Sequence, residues 1–148
     1  KPKIPVFTTV EVTKNGSTIT APDLTVIKNN KQGSSTIRGK VFLQLWESSM
    51  SLMLNSYYVH DQDVYIISKN GDQAYFDDYK TSYNGEYIFD QLPIGDYSVF
   101  TYSVDTTGVA SSGSVDQTLQ KVPVFTDVSV TSNNTVVTAP DITIIKIQ

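Results

Sequence analysis

The chain has 148 residues, 39% hydrophobic and 18% charged, enough for one domain with a sizeable core. It contains no cysteine, which excludes disulfides and thiolate metal sites, and no apolar run approaches the ~18 residues of a membrane helix. The net charge of −4 is unevenly spread: residues 1–56 carry +4 and residues 57–116 carry −8, an acidic centre that argues against nucleic-acid binding.

Threonine, valine, isoleucine and tyrosine dominate the recognisable segments, so the expected class is all-β. In the first segment Val6, Thr8, Val10 and Val12 alternate with Phe7, Thr9, Glu11 and Thr13, a strand pattern. Lys14-Asn15-Gly16-Ser17 then signals a hairpin turn, with a return strand from Thr18 to Thr20. Pro22 lacks a ladder donor and marks an edge or break, after which Leu24–Ile27 is again extended. Asn29–Ser35 is a polar linker.

Thr36–Trp46 reads as a strand with Val41, Leu43 and Leu45 on one face and Phe42 and Trp46 on the other. Glu47–Asn55 is compatible with a loop or a short helix. Asp63–Ser68 is a short strand of buried type, closed by the hairpin signal Lys69-Asn70-Gly71-Asp72; Gln73–Phe76 returns and Asp77-Asp78 is expected in a loop. Asp105–Gln117, rich in Gly and Ser, is expected to be the most mobile internal segment.

The stretch Thr81–Tyr102 organises the rest. Its apolar positions are Tyr87, Phe89, Leu92, Tyr97 and Val99, in two alternating runs, Glu86–Asp90 and Tyr97–Val99. Pro93 and Gly95 punctuate a short connection, so the runs are expected to form an antiparallel pair. All five residues are expected in the core, with Val41, Leu43, Val64 and Ile66 opposite them.

The first segment recurs at the other end of the chain. Lys3–Lys28 and Lys121–Lys146 align without a gap at an offset of 118, with 16 of 26 positions identical. Ala-Pro-Asp recurs at 21–23 and 139–141, and Asn15-Gly16 answers Asn133-Asn134. Two copies are too few for a solenoid. One strand–turn–strand unit is used twice, and the first copy either closes an edge of this domain or is the last hairpin of a preceding one. The expectation is the former, because a lone hairpin must pack on something.

Three groups of residues could carry chemistry. His60, the only histidine, lies beside Asp61 but without a nucleophile elbow, so no catalytic residue is assigned. Asp61, Asp63, Asp72, Asp77 and Asp78 could offer oxygen ligands to calcium, but Tyr65 and Ile66 break the EF-hand spacing, and no cofactor is expected. Tyr57, Tyr58, Tyr75, Tyr79 and Tyr83, with Tyr65 and Trp46 nearby, could form a stacking platform for sugar rings, against the alternative that Tyr is simply a favoured strand residue.

The runs GKVFLQLW, DVYIIS-KNGD and KTSYNGEYIFDQLPIGDYSVFTYS resemble the carboxypeptidase regulatory-like domains, which are transthyretin-like or Cna-B-like sandwiches. DVYII followed by T-x-Y-N-G-x-Y-x-F-x-x-L-x-x-G-x-Y-x-V is similar to surface lipoproteins of Gram-negative gut bacteria. The resemblance covers about residues 36–146 and implies an antiparallel Greek-key sandwich of seven or eight strands. It also implies export, with a lipidated cysteine upstream of Lys1, and a non-enzymatic scaffold, spacer or adhesion role. Cna-B relatives often carry a Lys–Asn crosslink promoted by a buried acid after the Y-x-V strand; Thr101, Tyr102 and Ser103 stand there, so the crosslink is not carried over. The expected whole is one domain over 1–148: a hairpin repeat in 1–30 and a core over 36–148. Its function is an accessory or adhesion module with a protein or glycan partner, or alternatively a carbohydrate-binding module using Tyr-rich 57–83.

Overall fold

A computed structural model describes residues 6–25, 33–69, 76–107 and 120–148. Among these are nine strands: β1 (Ser35–Trp46), β2 (Met53–Tyr58), β3 (Asp63–Ser68), β4 (Phe76–Lys80), β5 (Glu86–Leu92), β6 (Gly95–Val104), β7 (Lys121–Val130), β8 (Val136–Thr138) and β9 (Ile142–Ile147). They form a β-sandwich. One sheet is built on β1, and the other has the order β4-β3-β6-β7.

β1 is long enough to serve different partners along its length. Its first half lies between antiparallel β5 and parallel β8, and its second half between antiparallel β2 and parallel β9. The handover falls at Val41, whose N–H donates to Gly85 O (3.0 Å) while its carbonyl accepts from Val59 N (3.0 Å). The sheet is therefore mixed, which differs from the antiparallel expectation. Glu47–Asn55 resolves into a turn followed by the start of β2, with Met50 in the left-handed region (φ 57°). Asp77 and Asp78 belong to β4 rather than a loop, because their backbone completes the ladder with Ile66 and Tyr65. The expected turn at 70–72 lies outside the described residues, as does most of 105–117.

The core matches the expectation. Tyr87, Phe89, Leu92, Tyr97, Val99, Val41, Leu43, Val64 and Ile66 are all buried, as the alternation requires. Their sorting differs. β5 pairs with β1 and β6 with β3 and β7, so β5 and β6 lie in opposite sheets and are not a hairpin. Gln91 takes a left-handed turn (φ 56°), Pro93 has no N–H to continue a ladder, and the Tyr97 hydroxyl donates to Pro93 O (2.8 Å). The corner puts Phe89 and Val99 on opposite sheets of one core, where a hairpin would have set both on one sheet.

Tyr87 fills the space over Gly39, where a Cβ would come within 2.3 Å of its hydroxyl oxygen. That hydroxyl is buried without a hydrogen-bond partner among the described residues, and burial pushes its pKa well above the usual tyrosine range. An unpartnered buried hydroxyl costs stability, so Tyr87→Phe is expected to be neutral or stabilising by up to about 1 kcal/mol in urea denaturation. The sign at high pH follows from the raised pKa. Stability is fully present below the unfolded-chain value of ~10 and is lost as the pH rises above it, and Tyr87→Phe should reduce that loss.

The two repeat copies fare differently. The C-terminal copy is no hairpin: β7 joins the β3/β6 sheet, the chain crosses over, and β8 and β9 join β1. The expected edge-closing hairpin at the N-terminus is not observed either. Residues 6–25 form a turn at 14–16 but no strand, and all are exposed. The place beside β6 that this pattern fits is already taken by β7 of the C-terminal copy.

Candidate functional site

The outer face of the four-stranded sheet carries a row of aromatic rings. β3 turns Val64 and Ile66 inward, so alternation sends Tyr65 outward; β6 likewise buries Val99 and Thr101 and turns out Phe100 and Tyr102. Register then aligns the rings: Tyr65 is opposite Phe100, and Phe100 is opposite Phe125 of β7. Tyr65 stacks on Phe100 with centroids 5.3 Å apart, and Phe100 lies 5.0 Å from Phe125 and 6.0 Å from Tyr102. Tyr102 and Phe125 are 42% and 54% exposed, so a broad apolar surface with phenolic tips faces solvent.

Polar groups border this row. Lys69 Nζ contacts Asp127 Oδ2 at 2.6 Å and Ser98 donates to the same carboxylate, which together hold Asp127 below the usual carboxylate range. Ser129 donates to Asp96 (2.6 Å). Lys80 reaches both Asp63 (3.1 Å) and Asp61 (3.7 Å); the hydrogen bond to Asp63, then the two negative charges, raise its pKa. Burial first, then the Asp63 charge, raises the Tyr65 hydroxyl.

The tyrosines singled out in the sequence lie on several elements. Tyr57 and Tyr58 lie on β2, and Tyr58 packs edge-on to Phe42, sits under Lys40 and donates to Asp141 (2.9 Å). Tyr79 leans on Phe89 at the core margin, Tyr83 stands 92% exposed against His60, and Tyr75 lies outside the described residues. Of the calcium candidates, Asp61 and Asp63 share Lys80, Asp77 is buried, and Asp72 is outside the described residues. No three His, Cys, Asp or Glu side chains come together as a metal site among the described residues. Thr101 is buried, donating to Asp63 O (2.6 Å) and accepting from Gln62 Nε2 (2.9 Å).

Phe100, Tyr102 and Phe125 were not among the sequence candidates. Period-two alternation marks them as outward residues, but only the β3-β6-β7 pairing shows that they stand side by side.

No family model and no curated protein sequence matches this chain. Among solved structures it is similar to the crystal structure of a Pseudomonas aeruginosa protein proposed to bind carbohydrate, with 12% identity and a TM-score of 0.43 over 79% of this chain and 91% of that one. No helix among the described residues is long and apolar enough to cross a membrane.

Proposed function

We propose that this chain is a non-enzymatic accessory or adhesion module of an exported, envelope-anchored protein, and that the outer face of its β4-β3-β6-β7 sheet binds carbohydrate. The observation that carries the binding reading is the row Tyr65, Phe100 and Phe125, with Tyr102 beside it, held in register by three paired strands. Pyranose rings with equatorial substituents present flat C–H faces that stack on such rings, while Asp127 and Lys80 offer hydrogen bonds to hydroxyls at the margins. The envelope setting, including a lipidated cysteine upstream of Lys1, is supported by the resemblance of residues 36–146 to carboxypeptidase regulatory-like domains.

A glycan array probed with the intact chain tests the binding reading. The expected result is saturable binding to β-linked glucose or N-acetylglucosamine oligomers. Phe100→Ala or Tyr65→Ala should each weaken it about tenfold, ~1.4 kcal/mol, while Tyr57→Ala and Tyr83→Ala leave it intact. Absence of glycan binding, or binding that survives Phe100→Ala and is lost in Tyr83→Ala, would contradict it.

A further inference from the structure

The two repeat copies share an apolar pattern that is satisfied in one and unsatisfied in the other. In the C-terminal copy Val128, Val130, Ala139 and Ile142 are buried. Their equivalents at the offset of 118 are Val10, Val12, Ala21 and Leu24. Of these Val10, Val12 and Leu24 are 41%, 70% and 53% exposed, and Phe7, the equivalent of Phe125, is 83% exposed. Nothing in the intrinsic pattern distinguishes the copies. What the first lacks is a sandwich to close.

Its local geometry is nevertheless that of the closing copy. Gly16 and Asn134 occupy equivalent positions, and both adopt the left-handed region, at φ 74° and 54°. Ser17 Oγ donates to Lys14 O (2.6 Å), and its equivalent Thr135 Oγ1 donates to Ser132 O (3.0 Å). The bend that carries the C-terminal copy from one sheet to the other is thus already formed in the N-terminal copy. We infer that the segment bearing residues 6–25 supplies the closing strands of a second sandwich of this same fold, placed ahead of this one in a tandem array with a 118-residue period.

Charge separates that partner from a second copy of this chain. β7 meets its own sandwich through Asp127 on Lys69 and Ser129 on Asp96. The equivalents in the first copy are Thr9 and Glu11. Seated against β6 of this chain, it would lose the ion pair and set Glu11 against Asp96. The segment is therefore matched to a sister sandwich with different residues at those two places. The ladder makes an array extended: β9 runs parallel to β1, and Gln148 N donates to Trp46 O (2.9 Å), so the chain leaves the sandwich at the opposite end of β1 from Ser35. Successive units would follow one another head to tail.

A two-unit chain tests this, made by joining residues 33–120 directly ahead of Lys3 so that the first copy follows a β1–β6 unit in the natural spacing. It is prepared as such and with Thr9→Asp and Glu11→Ser, which restore the partners of Lys69 and Asp96. The expected result by amide hydrogen exchange is protection of Val10, Val12 and Leu24 at least about a hundredfold above that in the 148-residue chain, greatest in the substituted version. Fast exchange at these residues in both versions would overturn the inference. So would protection already present in the 148-residue chain together with a doubled light-scattering mass, since the partner would then be a second copy of this chain.

Discussion

Replacing Phe89 with alanine is expected to lower stability by about 3–5 kcal/mol, the range for deleting a buried aromatic ring, against a total of roughly 5–15 kcal/mol for a domain of this kind. Phe89 is 1% exposed on β5, opposite Ile37 of β1, with its ring 5.8 Å from Tyr87 and 6.4 Å from Tyr79. It packs in the same buried cluster as Val64, Ile66 and Val99 of the other sheet. Removal opens a cavity between the sheets that neither backbone can collapse to fill. Urea denaturation measures the effect, and Phe89→Leu should cost far less. A cost below about 1 kcal/mol for the alanine variant would place Phe89 outside the core.

The second large effect is a contrast between identical substitutions. Val130→Asp buries a carboxylate at a position 1% exposed, in the last ladder pair of β6 and β7 with Gly95. The expected cost is about 4 kcal/mol or more, enough to unfold a marginal domain. Val12→Asp, at the equivalent position of the first copy, is 70% exposed and should stay within about 0.5 kcal/mol of the parent. Thermal melts of the two variants side by side suffice. Equal destabilisation would mean that the first copy packs on this sandwich after all.

Much of this fold was legible in the sequence because alternation is a local property. Tyr87, Phe89, Tyr97, Val99, Val64 and Ile66 announce their inward faces within a few residues, and β1 reads as a strand along its whole length. Which strands pair is a non-local matter. Pro93 and Gly95 suit a hairpin and an inter-sheet corner equally well, and the choice is made by the need to bury both faces across one core. The repeat misled for the same reason. Residues 3–28 carry the same pattern as residues 121–146, but the place beside β6 that the pattern fits is filled by the C-terminal copy. The aromatic face was half visible: Tyr65 was noticed, whereas its neighbours Phe100 and Phe125 come from strands 35 and 60 residues further on, and only the register brings them together.

The most direct test of the functional account is a two-dimensional amide and aromatic NMR titration of the intact chain with a β-1,4-linked glucose oligomer. The account predicts saturable shifts confined to Tyr65, Phe100, Tyr102, Phe125 and the flanking Ser98, Asp127 and Lys80, all on one face of one sheet. Shifts centred on Tyr57, Tyr58 and Tyr83, or a spectrum left unchanged by every glycan that the array presents, would contradict it.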